Sequence, residues 1–425
     1  MKHKALILLL FLLLSCSKKE DSVVKIHYWA FGGTPNIMKW TKERVAAFNA
    51  THAGIEVELS QKSWSRIREL LYTNMSTKLG PDVIRVHANY AAEFGEANFL
   101  YPINHYPDFD GIKKWYYPNY LEATKYKNNY YGLPMSAVAF VLVCNKKLFD
   151  QDNIKPPMTW SEFREAARKL TKDNNGDGSI DQYGLVLLGA MKGGFSYRLA
   201  PFMLKAGAKI LSEDLKRVEF NSAAAISAVK LFADMFQVDR SITPGFLSYT
   251  MSETNDLFSN DRVAMSIEGP WFRSILKEKK PGKDLYTVPI PVPDSRIQMY
   301  ESSLSLQDMV MISISKYTKH PYEAWELTKF LRCPEADMDW VRQDMGGIAV
   351  TIQALNSVEA ENIPDLAVYK HELSFARPWP PHPKMIAIVR NVIAPYAQKA
   401  IIGEMDVQEA MDRAAAEAQE MLGDL

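Results

Sequence analysis

Val23-Val24-Lys25-Ile26-His27-Tyr28-Trp29-Ala30 opens a stretch, residues 23–86, whose reading decides the fold. Its β-branched and aromatic content predicts a strand. Thr34–Asn49 then reads as a helix, with Thr34 as a plausible cap and Pro35 where a first turn tolerates it. Ile37, Met38, Val45 and Phe48 keep rough helical spacing. Ile55–Leu59 alternates as a second strand, Trp64–Lys78 reads as a second helix, and Pro81–Val86 as a third strand. The order β-α-β-α-β argues for a parallel sheet with helices on its faces.

Working outward toward the start, Lys2, His3 and Lys4 precede an unbroken apolar run from Ala5 to Leu14, then Ser15 and Cys16. A basic head, a short apolar core and a small residue describe a secretory signal. The run is shorter than the roughly 20 residues of a membrane-spanning helix. Leu13-Leu14-Ser15-Cys16 resembles a bacterial lipobox. That resemblance implies cleavage after residue 15 and acylation of Cys16, whose acyl chains hold the protein at a membrane. An ordinary signal peptide with a chance cysteine is the alternative. Residues 16–22 are polar and aperiodic and read as a lipidated tether.

Toward the end, the remaining chain of about 400 residues exceeds one core of ordinary size, so two lobes are expected. The 50 basic residues balance 50 acidic ones, which leaves no long-range field for a polyanion and makes nucleic acid an unsuited partner. Cys144 lies in the apolar run Phe140-Val141-Leu142-Val143-Cys144 and reads as a buried hydrophobe, with a Cys144–Cys333 disulfide as the alternative. Helices are expected at 162–170 (capped by Thr159 or Ser161), 223–236, 322–331 and 405–422, and strands at 263–267 and 309–314.

No nucleophile elbow, zinc-protease helix, Walker loop or dinucleotide fingerprint occurs. The eight histidines, His87, His105 and His382 among them, have no partner at ligand spacing and read as surface or packed residues. Paired carboxylates could hide among 50 acids, so a lipid-anchored glycan-degrading enzyme stays as an alternative. A surface adhesin is a third class. The placement of aromatics stands out. Trp29, Phe31, Trp64, Tyr90, Phe195, Trp271 and Trp379 fall at or just after strand ends, where open α/β sheets bind ligands. Aromatic faces there suit sugar rings, although large aromatics are as often core.

Taken together, these segments resemble the extracellular solute-binding proteins, the family that includes the maltose-binding protein. The pieces are Phe48-Asn49 with Ile55-Glu56-Val57, Gly80-Pro81-Asp82-Val83-Ile84, Phe99-Leu100-Tyr101-Pro102-Ile103, Tyr131-Gly132-Leu133-Pro134, Asn145–Phe149, Pro156–Phe163, Asn260–Met265 and Gly269-Pro270-Trp271. The resemblance implies an α/β fold of two lobes, periplasmic-binding-protein-like (type II). Each lobe would be a mainly parallel sheet flanked by helices. Crossings are expected near 136–139 and 302–308, giving a first lobe of 23–136 and 305–345 and a second of 137–304 and 346–425. A monomer is expected, held outside the cytoplasm, binding a carbohydrate between its lobes without turnover and passing it to an ABC permease. Carried over by position, Trp271 is the sugar-stacking tryptophan. Asn89 stands where the maltose-binding protein has an acidic hydroxyl ligand, and Tyr90 replaces a basic neighbour. Glu268 adjoins the Gly-Pro-Trp loop, and residues 30–34, with Phe31, match the first binding loop. Arg377-Pro378-Trp379 lies in a late segment that some members use. Arg198, Arg377 and Lys192 could pair with a uronate.

Residues 173–181 form a separate constellation. Asp173, Asn175, Asp177 and Asp181 place oxygen donors at positions 1, 3, 5 and 9 of an EF-hand-type loop, with Gly178 at position 6. Ser179 lies within it, and Gln182 could replace the missing twelfth ligand. Alginate-binding members of the family are similar here. The loop is a candidate structural calcium site, with a solvated Asn/Asp/Gly turn as the alternative; no other cofactor is required.

Overall fold

The computed structural model describes residues 23–190 and 192–423. The signal segment, Cys16 and the tether lie outside the described residues, as does the side chain of Lys192. Among the described residues, ten strands build the two large sheets, apart from a two-stranded ribbon at 125–130: β1 (Val24–Phe31), β2 (Ile55–Lys62), β3 (Val83–His87), β4 (Leu133–Ala139), β5 (Val141–Asn145), β6 (Tyr183–Val186), β7 (Val263–Glu268), β8 (Leu285–Val288), β9 (Ser305–Ile314) and β10 (Ala376–Arg377).

The first sheet grows from the opening stretch. β1 buries Ile26, Tyr28 and Ala30, the period of two read from sequence. It pairs in parallel with both β2 and β3. β9 then runs antiparallel to β3 on one side and to β4 on the other, and takes the short β10 in parallel. Between β1 and β2 runs the helix Pro35–Thr51, where the Thr34 hydroxyl accepts the Ile37 N–H and Pro35 fills a first-turn position. The second helix of this lobe begins as a 3₁₀ turn at Trp64–Arg66 and continues as Ile67–Ser76. It stops short of the expected end because Lys78 turns left-handed, at φ 59°.

The second sheet has the order β8-β5-β7-β6. β5 pairs antiparallel with β8 and β7, and β6 runs parallel to β7. The helix Trp160–Lys169 packs beside it and opens with a reciprocal cap: Thr159 accepts the Glu162 N–H while Glu162 bonds back to the cap backbone. Cys144 and Cys333 are both free thiols, so the disulfide alternative falls. Cys144 is fully buried in β5, and burial pushes its thiol far above the usual value.

The chain crosses between sheets over one residue. Ala137, Val138 and Ala139 still pair with Met309, Asp308 and Gln307 in the first sheet, whereas Val141 already pairs with Glu268 in the second. Phe140 alone separates them. The return falls between Val288 and Ser305. Ala376 and Arg377, allotted from sequence to the second lobe, instead pair with Ser305 and Leu306 of the first sheet.

β4 is pinned from behind. Arg332, fully buried, donates to the carbonyls of Pro134 and Met135 at 2.9 Å each and to Asp337 at 3.0 Å. The other Asp337 oxygen accepts the N–H groups of Val350 and Thr351 and the Thr351 hydroxyl, at 2.7–2.9 Å. One ion pair thus ties the helix Pro321–Arg332, the crossing strand and the 350–351 turn together.

Candidate functional site

A run of rings links the two lobes, from the C-terminal end of β1 to the turn after β7. Trp29 meets Phe31 edge-on at 6.4 Å between centroids, and Phe31 stacks on Trp64 at 6.2 Å. Trp64 lies 4.0 Å from His87, and His87 stacks with Tyr197 at 6.5 Å. Tyr197 stacks with Phe140 at 5.8 Å and meets Trp379 edge-on at 5.7 Å. Phe140 meets Trp271 edge-on at 5.8 Å. The structure therefore brings Trp29, Phe31, Trp64, Trp271 and Trp379 into one network, through three rings to which the sequence reading assigned no binding role: His87, Phe140 and Tyr197.

Local chain geometry positions each end. On the first lobe, Gly32 and Gly33 have φ of +67° and +103°. A Cβ on Gly32 would stand 1.6 Å from the Trp64 indole nitrogen, so only glycine lets that tryptophan lie across the loop. On the second lobe, Trp271 follows β7 by the turn Gly269-Pro270 and starts the helix Trp271–Lys279. A Cβ on Gly269 would meet the Trp271 ring at 2.3 Å. The ring folds back over that glycine, and its Nε1 is buried with no hydrogen-bonding partner among the described residues.

Polar groups line the same network. Asn89 donates to the Tyr197 hydroxyl, while its own carbonyl oxygen is buried and unpartnered among the described residues. His87 Nδ1 lies 2.7 Å from Asp308. Burial, with Asp308 nearby, pushes the Tyr197 hydroxyl well above its usual pKa. Glu268 is buried and accepts from Arg198 at 2.9 Å and Ser266 at 2.8 Å, so it braces the end of β7. Arg198 also lies 5.9 Å from the Phe140 ring.

Other expected residues sit elsewhere. Tyr90 is buried and stacks on Phe94 at 4.8 Å; burial pushes its hydroxyl up to about 12, and Arg390 of the later segment approaches it. Phe195 is core, stacked on Phe246. Arg377 is exposed and bonds the Ala376 carbonyl, so two residues of one motif part company: Trp379 is 3 % exposed against Tyr197, while Arg377 points to solvent. Pro381, two residues on, borders a cavity of about 460 Å³ together with Glu96, Tyr126 and Lys127.

In the 173–181 loop the donors close on the loop itself. Asp173 accepts the Gly176 and Gly178 N–H groups at 2.7 and 2.8 Å, Asn175 that of Asp177, Asp177 that of Ser179, and Asp181 that of Asn174. These backbone bonds hold the Asp173 and Asp177 carboxyls below the usual range. Gln182 is buried and its amide donates to the Leu170 carbonyl, away from the proposed ring of ligands. Among the described residues no cluster of three or more His, Cys, Asp or Glu side chains is arranged to hold a metal ion.

Residues 32–338 match the family described as bacterial extracellular solute-binding protein. The maltotriose-binding protein of Pyrococcus abyssi is 23% identical over 357 residues, 83% of this chain and 73% of its own length. A solute-binding protein of an ABC transporter from Thermotoga lettingae, bound with α-D-tagatose, superposes with a TM-score of 0.83 at 22% identity, covering 94% of this chain and 100% of that one. A maltose/maltodextrin-binding domain from Bdellovibrio bacteriovorus, bound to maltotriose, gives 0.82 at 21% identity with the same coverage.

Proposed function

This chain belongs to the bacterial extracellular solute-binding protein family, and on that premise we propose that it captures a carbohydrate between its lobes and hands it to an ABC permease. The observation that carries the reading is the ring network from Trp29 to Trp271, which draws on both lobes and presents aromatic faces beside unpaired polar atoms. Sugars need that pairing of flat apolar surface with hydrogen-bonding groups. Contacts from both lobes make binding and closure one linked equilibrium.

The role is binding without turnover. Of the acids beside the network, Glu268 is held by Arg198 and Ser266 inside the end of β7, and Asp308 lies 2.7 Å from His87. Titrating the protein with neutral and acidic oligosaccharides should give a saturable change in tryptophan fluorescence and a smaller radius of gyration. No cleavage product should form over hours. Sustained cleavage would sink the binding reading, and silence across the panel would sink the carbohydrate. Acylation at Cys16 would tether this receptor to a membrane beside its permease. Among the described residues no helix is long and apolar enough to cross one.

Calcium at the loop is a separate reading, resting on Asp173, Asn175, Asp177, Ser179 and Asp181 without Gln182. Adding millimolar calcium to chelator-treated protein should raise the melting temperature by a few degrees. An unchanged melting temperature would leave the loop a solvated turn.

A further inference from the structure

β3 carries a charge where its neighbours are apolar. Arg85, in Val83-Ile84-Arg85-Val86, is 2 % exposed. Its Nε and Nη2 both donate to the Phe31 carbonyl, at 3.0 and 2.8 Å. Its Nη1 is buried with no hydrogen-bonding partner, and the guanidinium has no ion-pair partner, both among the described residues. A buried cation without an anion is the costly half of an ion pair. Burial pushes the group below its usual pKa, opposed by the Tyr28 hydroxyl and by no carboxylate.

The surroundings add to that surplus. Gly33 crosses directly over the guanidinium, since a Cβ there would stand 2.6 Å from Nη2. The helix Pro35–Thr51 starts two residues later with no acid in its first turn, so its positive end is uncompensated. Lys62, at the end of β2, sits 4.9 Å over the Trp29 ring. Elsewhere, Glu268 is paired with Arg198 and Glu93 with Arg68, and Asp308 lies 2.7 Å from His87 rather than against Arg85. No carboxylate among the described residues pairs with Arg85, so a ligand's negative group would supply the counter-ion that the guanidinium lacks.

We propose that the solute is an acidic carbohydrate whose carboxylate or phosphate oxygens are held at the Phe31–Thr34 loop by Arg85 and the start of the helix Pro35–Thr51. This rests on the carbohydrate reading above and narrows it to a charged class. An arginine suits the task because its fork of donors stays charged when buried and matches an oxyanion.

The test is calorimetry on the full chain in detergent. The probes are uronic-acid disaccharides, each with its methyl ester, and hexose phosphates, each with its free hexose. The acidic member should bind at least ten-fold tighter than its neutral partner, and the pair that responds identifies the source of the charge. Arg85→Met should collapse that ratio, and Arg85→Lys should keep part of it. Esters and free sugars binding as tightly as their acids would overturn the inference and leave the carbohydrate reading standing. No binding by any probe would overturn both. A ratio unchanged in Arg85→Met, with both affinities falling together, would overturn the assignment to Arg85, because a merely structural role scales both alike.

Discussion

Replacing Arg332 by methionine should cost about 3–5 kcal/mol of stability, the range for removing one partner of a buried ion pair. The cost comes from what stays behind. Asp337 is fully buried and would keep its charge with three hydrogen bonds but no cation. The carbonyls of Pro134 and Met135 would lose their donors inside a closed core. Methionine fills much of the volume, so the loss is electrostatic rather than a cavity. Chemical denaturation reads it as a lower midpoint. The double variant Arg332→Met with Asp337→Asn should recover part of the loss, because the stranded carboxylate is gone. A single variant as stable as the parent would show that the pair does not hold β4.

The second large effect is on binding. Trp271→Ala should weaken the best-bound oligosaccharide by about 1–3 kcal/mol, some five- to 150-fold in Kd. The ring is held edge-on to Phe140 and folded over Gly269, so its pose does not depend on the ligand and little ordering cost is charged to binding. Its Nε1 has no protein partner among the described residues and can donate to a hydroxyl. Trp271→Phe keeps a face but removes that donor, and should cost about 1 kcal/mol, the scale of one hydrogen bond. The fold should be little affected, because Trp271 is half-buried at the first position of its helix. An unchanged Kd in the alanine variant would remove Trp271 from the site.

The opening strands and helices were legible because their signals are local: alternation in Ile26, Tyr28 and Ala30, and the caps at Thr34 and Thr159. Trp271 was visible because its glycine and proline neighbours mark a turn after a strand. Tyr197 and Phe140 were not, because each looks apolar and ordinary in its own segment. They become part of the ring network only when a helix (Lys192–Lys205) and a one-residue crossing bring them beside His87 and Trp271. Arg85 leaves a signal in the sequence, a lone charge inside an apolar strand. Arg377 misled for the opposite reason: its neighbour Trp379 turns inward while the arginine pairs along β10 and faces out. Within β10 the alternation sets exposed Arg377 opposite buried Ala376, and Trp379 lies beyond the strand, where the period of two no longer governs it.

β9 has a consequence for how the chain is made. It lies between β3 and β4, so the first sheet stays open at the β3 edge until residue 314 has left the ribosome. More than half of the polypeptide must therefore emerge before its earliest strands find their last neighbour. Pairings of such long sequence separation form slowly. The delay exposes an unprotected strand edge to aggregation.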